Sequence, residues 1–344
     1  MDSAPLIAQL QSGPRSASEL TQALGISQPT LSRRIASASE AVVAFGAARR
    51  TSYALRRRVG GHDRFAIYRV RASGAVEPVG ELIPVHPSGY VVRTKEANQY
   101  LQGLPWWLHD MRPQGFLGRS FVHAHATALN LPPEIELWND DHCLIALAER
   151  GEDFIGNLIV GEGSLSRFLA QSNATLLPAS QRAERYPQFA RAALAGELIG
   201  SSAGGDQPKF STLVQHADGP RAVLVKFSAP GNNEITARWR SLLIAEHIAH
   251  ETLNAVGLRA AQSELLFVDG QCFLEIRRFD RIGSRGRRGV VSLGALDNAF
   301  VGRAAAPWPI ASAALARTRQ ITPQADASVQ RLHAFGRLIG NSDM

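Results

Sequence analysis

The apolar positions fall into three successive textures. In the first sixty residues they recur at helical intervals. Leu6, Ile7 and Leu10 give one face to a helix over about 4–11, and Leu20, Leu24, Ile26, Leu31 and Ile35 are spaced as a helix–turn–helix core. Ser18 is the expected cap of a short helix ending at Leu24, with Glu19 in its first turn. Gly25-Ile26-Ser27 makes the turn, a further helix starts near Gln28, and Val42–Arg58 reads as a β-hairpin with Arg49 and Arg50 at its tip. Residues 64–94 then alternate as strands, FAIYRV, ELIPVH and GYVVR. An aromatic connector over Leu104–Phe121 leads to helical patterns near 120–130 and 141–149 and a strand at 157–161. The polar text from Ser164 to Arg185 reads as a linker or flexible loop.

From Gly200 the pattern tightens. KFSTLVQH (209–216) and RAVLVKFS (221–228) form a hairpin, and a long helix runs from near Asn233 to just before Gly257. SELLFV (263–268) and QCFLEIRRF (271–279) form a second hairpin across Asp269-Gly270. In the long helix Ile235, Trp239, Leu242, Glu246, Ala249 and Leu253 make one stripe, expected to be buried, with a carboxylate in its middle. A buried carboxylate needs a cation or several donors, and Lys226 on a neighbouring strand is the expected partner. After Arg281 the loop IGSRGRRG is expected to be mobile and solvated, with helices to the end.

Composition adds limits. With 344 residues, 45% apolar and 19% charged, the chain is an ordinary globular protein of two or three domains. No run of eighteen apolar residues predicts a membrane span, no signal peptide is evident, and two distant cysteines fit a reducing cytoplasm. The net charge of +7 comes almost wholly from arginine and favours an anionic partner. Only Lys95, Lys209 and Lys226 are lysines, so each asks for a reason.

The stretch SSAGGDQPKF (201–210) offers hydroxyls, glycines and a lysine. Gly200 and Gly205 satisfy the first part of a Walker loop, but Asp206 stands where lysine is required, and a strand follows instead of a helix. A glycine-rich loop ahead of a strand is the protein-kinase arrangement, with a phosphate-binding lysine on the next strand and a carboxylate from the following helix. Lys226 and Glu246 fit those places. Phe279 and Asp280 lie where the last strand leaves the lobe, and Asp343, just past an apolar helix, could orient a substrate hydroxyl. His123, His125 and Asp140–His142 have metal-ligand residue types, but histidines two apart on a helix face different ways, so no metal site is expected.

Residues 1–60 resemble the winged helix–turn–helix family. That resemblance implies DNA contacts from Ser27, Gln28, Thr30, Arg33, Arg34, Arg49 and Arg50. From about residue 64 the motifs LPWWLHDMRPQGFLGR, DDHCLIALAERGEDFIGNLIVG, SSAGGDQPKF, LVKFS, RRFDR and LIGNSD resemble, in order, the HipA family of toxin kinases and its YjjJ-type branch. The resemblance implies an α+β chain. A winged helix–turn–helix over 1–60 would precede a two-lobed kinase-like fold: a HipA-like subdomain over 61–195, an ATP-binding core over 196–281, and an incomplete helical lobe over 282–344. It implies ATP and Mg²⁺ as cofactors and transfer to serine on a protein target, a translation factor or tRNA synthetase. Ser202, Ala203, Gly204, Gly205, Lys209, Lys226, Glu246, Arg277, Phe279 and Asp280 would bind ATP, with backbone from 277–279 meeting adenine. Asp343 would be the catalytic aspartate, and Ser201 or Ser202 the site of self-phosphorylation. An antitoxin or a second copy is a further expected partner. The family's magnesium-binding Asn and later Asp do not occur in this sequence, which implies either a fragment of a longer protein or a shortened product with little catalysis. A non-catalytic DNA-binding regulator with a nucleotide-sensing, pseudokinase-like part stays open beside the kinase.

Overall fold

The structure, a computed structural model, describes residues 3–170, 176–197, 205–303 and 306–341. Three helices open it: α1 (Ala4–Gln11), α2 (Ala17–Leu24) and α3 (Gln28–Ser37). Three short strands accompany them, β1 (Arg15–Ser16), β2 (Val42–Phe45) and β3 (Ser52–Leu55), in the order β1-β3-β2. The cap of α2 is Ser16, two residues before the expected Ser18. Its hydroxyl accepts the Glu19 amide at 3.3 Å, while the Glu19 carboxylate accepts the Ser16 amide at 2.7 Å. This reciprocal pair satisfies two orphan donors that Ser18 alone could not. Gly25, at φ 61, stops α2, and Ser27 caps α3. Leu6, Leu10, Leu20 and Leu31 are fully buried between the helices.

A five-stranded antiparallel sheet follows, built from β4 (Phe65–Val70), β5 (Val76–Pro84), β6 (Tyr90–Thr94), β7 (Asn98–Leu101) and, from later in the chain, β8 (Leu158–Val160). Its order is β7-β6-β5-β4-β8. Helices α4 (Gly115–His125) and α5 (Asp140–Arg150) lie between β7 and β8, and Phe121, Leu144 and Leu147 pack with Phe65, Ile67 and Leu82 into the largest core. The first unit is joined to this sheet along a second small core, Val43 and Ala54 against Ile83, Val85 and Val91. Backbone bonds run between them from His86 to Leu55 (2.8 Å) and from Arg57 to Pro84 (3.0 Å). The Arg57 guanidinium grips Asp141 of α5 at 2.5 and 2.8 Å.

The described residues of the polar stretch 164–185 are largely regular structure and not a loop. The stretch contains most of α6 (Glu162–Ala170), strand β9 (Leu177–Pro178) and the start of α7 (Arg182–Leu194). Pro187 inside α7 suppresses a helical reading, yet Tyr186, Ala190 and Ala193 bury one face of that helix. That face covers a second antiparallel sheet with one parallel edge, β12-β13-β11-β10-β9. Its other strands are β10 (Lys209–His216), β11 (Gly219–Phe227), β12 (Ser263–Val268) and β13 (Gln271–Arg277). Strand alternation sends Val223, Val225 and Phe227 toward α7 and Cys272 and Leu274 toward α8 (Glu234–Ala255). Two short strands, β14 (Arg281–Ile282) and β15 (Gly286–Arg287), lead to helices α9 (Leu293–Leu296), α10 (Trp308–Arg317) and α11 (Pro323–Leu338). No helix among the described residues is long and apolar enough to cross a membrane.

Candidate functional site

Strands β10 and β11 place Lys209 directly opposite Lys226. Two ammonium groups on one sheet face repel each other, and each is held by a separate partner. Lys226 Nζ donates to both carboxylate oxygens of Glu246 on α8, at 2.6 and 2.8 Å. Lys209, only 2% exposed, donates to the Gly205 carbonyl at 2.8 Å. Burial first, then the charge of Lys226, pushes the Lys209 ammonium down to about 8. Buried cationic nitrogen bound to the backbone of Gly205, at the end of the glycine-rich segment, suits a phosphate group. Glycine is required at 205, whose φ is +92.

The stripe that led to Glu246 is not buried as expected. Ile235, Trp239 and Leu242 are exposed and only Leu253 at the far end of the stripe is buried, while α8 meets the sheet through Leu243 and Ile244, which pack with Cys272 and Leu274. His247 and His250, each with Nδ1 3.0 Å from the Ser263 hydroxyl, continue that contact line. Glu246 lies beside this line, half-buried, where it still reaches Lys226. Ser201, Ser202, Ala203, Gly204 and Asp343 lie outside the described residues.

At the exit of β13 the amides of Arg277 and Arg278 donate to Gln262 and Ala222 carbonyls, both at 2.9 Å. Both amides are therefore engaged within the sheet, and the Phe279 side chain beyond them is exposed. The Asp280 carboxylate is turned into an ionic cluster of the protein's own residues. It is 3% exposed and accepts from Arg278 (2.9 and 3.0 Å), Arg281 (2.6 Å) and the Gly156 amide (3.0 Å). Arg281 also donates to Asp153 at 2.8 Å and to the Phe154 carbonyl at 2.7 Å. Burial raises both carboxyls, but the arginines outweigh it and hold Asp153 and Asp280 below the usual carboxylate range. The arginine-rich loop over 281–288, expected to be mobile and solvated, is thus anchored at Arg281 and at Arg287, which is 4% exposed, in an ionic junction between the two sheets' units, while Gly283, Ser284 and Arg288 are exposed. Sequence reasoning missed it because the acidic halves, Asp153 and Asp280, lie 127 positions apart.

On α3, Gln28 and Arg33 are exposed and Arg34 is partly covered. The Ser27 and Thr30 hydroxyls lie 3.0 Å apart within the helix cap, so they are engaged locally. Arg49 and exposed Arg50 fall in the turn between β2 and β3. Among the described residues no group of three or more His, Cys, Asp or Glu side chains could hold a metal ion.

Residues 61–169 match the family model described as the YjjJ-like toxin middle domain, and residues 201–344 match the HipA-like C-terminal domain. Over 338 residues the chain is 41% identical to Toxin YjjJ of Escherichia coli (strain K12), covering 97% of this chain and 76% of that protein. Two domain matches in order, with that identity along nearly the whole chain, place the protein in the HipA family as a member of its YjjJ-type toxins.

Proposed function

We propose that this chain is a serine/threonine protein kinase of the HipA type that carries a winged helix–turn–helix DNA-binding unit over residues 1–60. The observation that carries the kinase reading is the Lys226–Glu246 pair, with Lys209 opposite it at the base of a glycine-rich segment. Phosphoryl transfer asks little covalent chemistry of a protein and depends on position and neutralised charge. Glu246 fixes Lys226 so that its ammonium meets the nucleotide phosphates without reorganising, and Lys209 adds a second cation. Residues 202–205 would cover the phosphates, Phe279 would border the adenine, and Asp343 would orient the acceptor hydroxyl. ATP would supply the phosphoryl group. Mg²⁺ would be held by the nucleotide phosphates together with Asp343. The DNA reading rests on the three helices, the β1-β3-β2 sheet and exposed Gln28 and Arg33 on α3.

Incubation with ATP and magnesium should yield phosphoserine at Ser201 or Ser202, and Asp343→Ala should abolish it. Phosphorylation that survives in Asp343→Ala removes the catalytic assignment. Nucleotide binding without any phosphoserine would favour the nucleotide-sensing regulator.

A further inference from the structure

We infer that the middle unit is itself part of the nucleotide site. The start of α4 holds the base of the glycine-rich segment, and Gly115, Phe116 and Arg119 act as positioning residues for phosphoryl transfer. This rests on the kinase reading above and names a control point within it.

Three contacts converge on residues 205 and 206. The Phe116 amide donates to the Gly205 carbonyl at 2.9 Å, the same oxygen that accepts Lys209 Nζ at 2.8 Å. One carbonyl therefore joins a helix of the middle unit to the buried lysine of the other sheet. Gly115 stands at φ +62, and a Cβ there would come 2.5 Å from the Gly205 oxygen, 2.7 Å from its nitrogen and 2.8 Å from its carbonyl carbon. All three atoms are backbone, so none can rotate aside, and only glycine allows the approach. One turn later Arg119 donates to Asp206 at 2.9 Å. The Phe116 ring packs on the core that holds Phe210 and Tyr186, so its amide cannot swing away without unpacking that core. Residues 205 and 206 lead directly into β10 and Lys209. Moving α4 therefore moves the loop base and the lysine partner together. Coupling of this kind is reciprocal, so a nucleotide that settles on the loop must also be felt at Phe116.

The full chain tests this with ATP and magnesium as the probe. Hydrogen exchange at the Phe116 amide should slow several-fold when nucleotide is added. Calorimetry should show Gly115→Ala weakening ATP binding by roughly tenfold or more, since small misplacements in such sites cost up to about a hundredfold. Val122→Ala, a cavity-forming change elsewhere on α4, should lower the melting temperature and leave the Kd for ATP unchanged. Arg119→Lys should keep the affinity, and Arg119→Glu, facing Asp206, should lower it. Should Gly115→Ala fail to fold, the exchange measurement on the natural chain decides alone. If the natural chain binds ATP while Phe116 exchange is unaltered, the coupling is wrong and the kinase reading stands. If the natural chain binds no ATP, both fall.

Discussion

Lys226 and Glu246 form an ion pair whose Lys226 side chain is 20% exposed and whose Glu246 side chain is 29% exposed. In that setting solvent screens much of the attraction, so its contribution to folding is about 1 kcal/mol. Its value lies in fixing one ammonium. Glu246→Gln should cost about 1 kcal/mol in urea denaturation and lower ATP affinity by roughly tenfold or more. A larger loss of stability than of affinity would make the pair structural. Lys209 differs, because its charged form is disfavoured by burial and by Lys226. That cost is fully present below pH 8 and is relieved as pH rises toward the unfolded value near about 10.4, since the unfolded chain then binds more protons. Between pH 8 and 10 the natural chain should gain stability relative to Lys209→Met. Parallel curves for the two proteins would show that Lys209 titrates normally.

The elements of the second sheet were nearly all legible, because period-two alternation and turn residues are local signals. Strands 209–216 and 263–268 stand where the pattern puts them. Helix α8 also has the expected extent, but its buried side follows its apolar stripe only at Leu253 and departs from it at Ile235, Trp239 and Leu242. The histidines at 247 and 250, satisfied by Ser263, occupy contact positions that hydrophobic counting gives to Trp239 and Leu242. Helix α7 was hidden by Pro187 and by a charged first turn. Of the candidate site, the lysine–glutamate pair could be read from spacing. The Gly115–Gly205 approach could not, since ninety positions separate two ordinary-looking glycines. The same holds for the junction beyond β13, where each partner alone resembles a solvated charge. Asp280→Ala leaves Arg278 and Arg281 short of an acceptor in a buried place. It should destabilise the chain by roughly 3–5 kcal/mol, read as a lower urea midpoint. A loss below about 1 kcal/mol would mean that water replaces the carboxylate there.

Across the whole molecule, charge and architecture bear on the first sixty residues. If α3 enters a major groove, affinity for promoter fragments should fall steeply with salt, and Arg33→Ala with Arg34→Ala should reduce the log–log slope by about one per lost phosphate contact. A salt-independent interaction would exclude phosphate contacts as its source. The unit that carries α3 shares the Val43–Ile83–Val91 core and several backbone bonds with the next sheet. It is therefore a poor candidate for transplantation. A chain begun at residue 61 would leave Ile83, Val85 and Val91 facing water and strip Asp141 of Arg57, turning an internal seam into a sticky surface. Such a fragment should self-associate in sedimentation at concentrations where the longer chain stays dispersed. The boundary visible in sequence is not a line along which the protein can be cut.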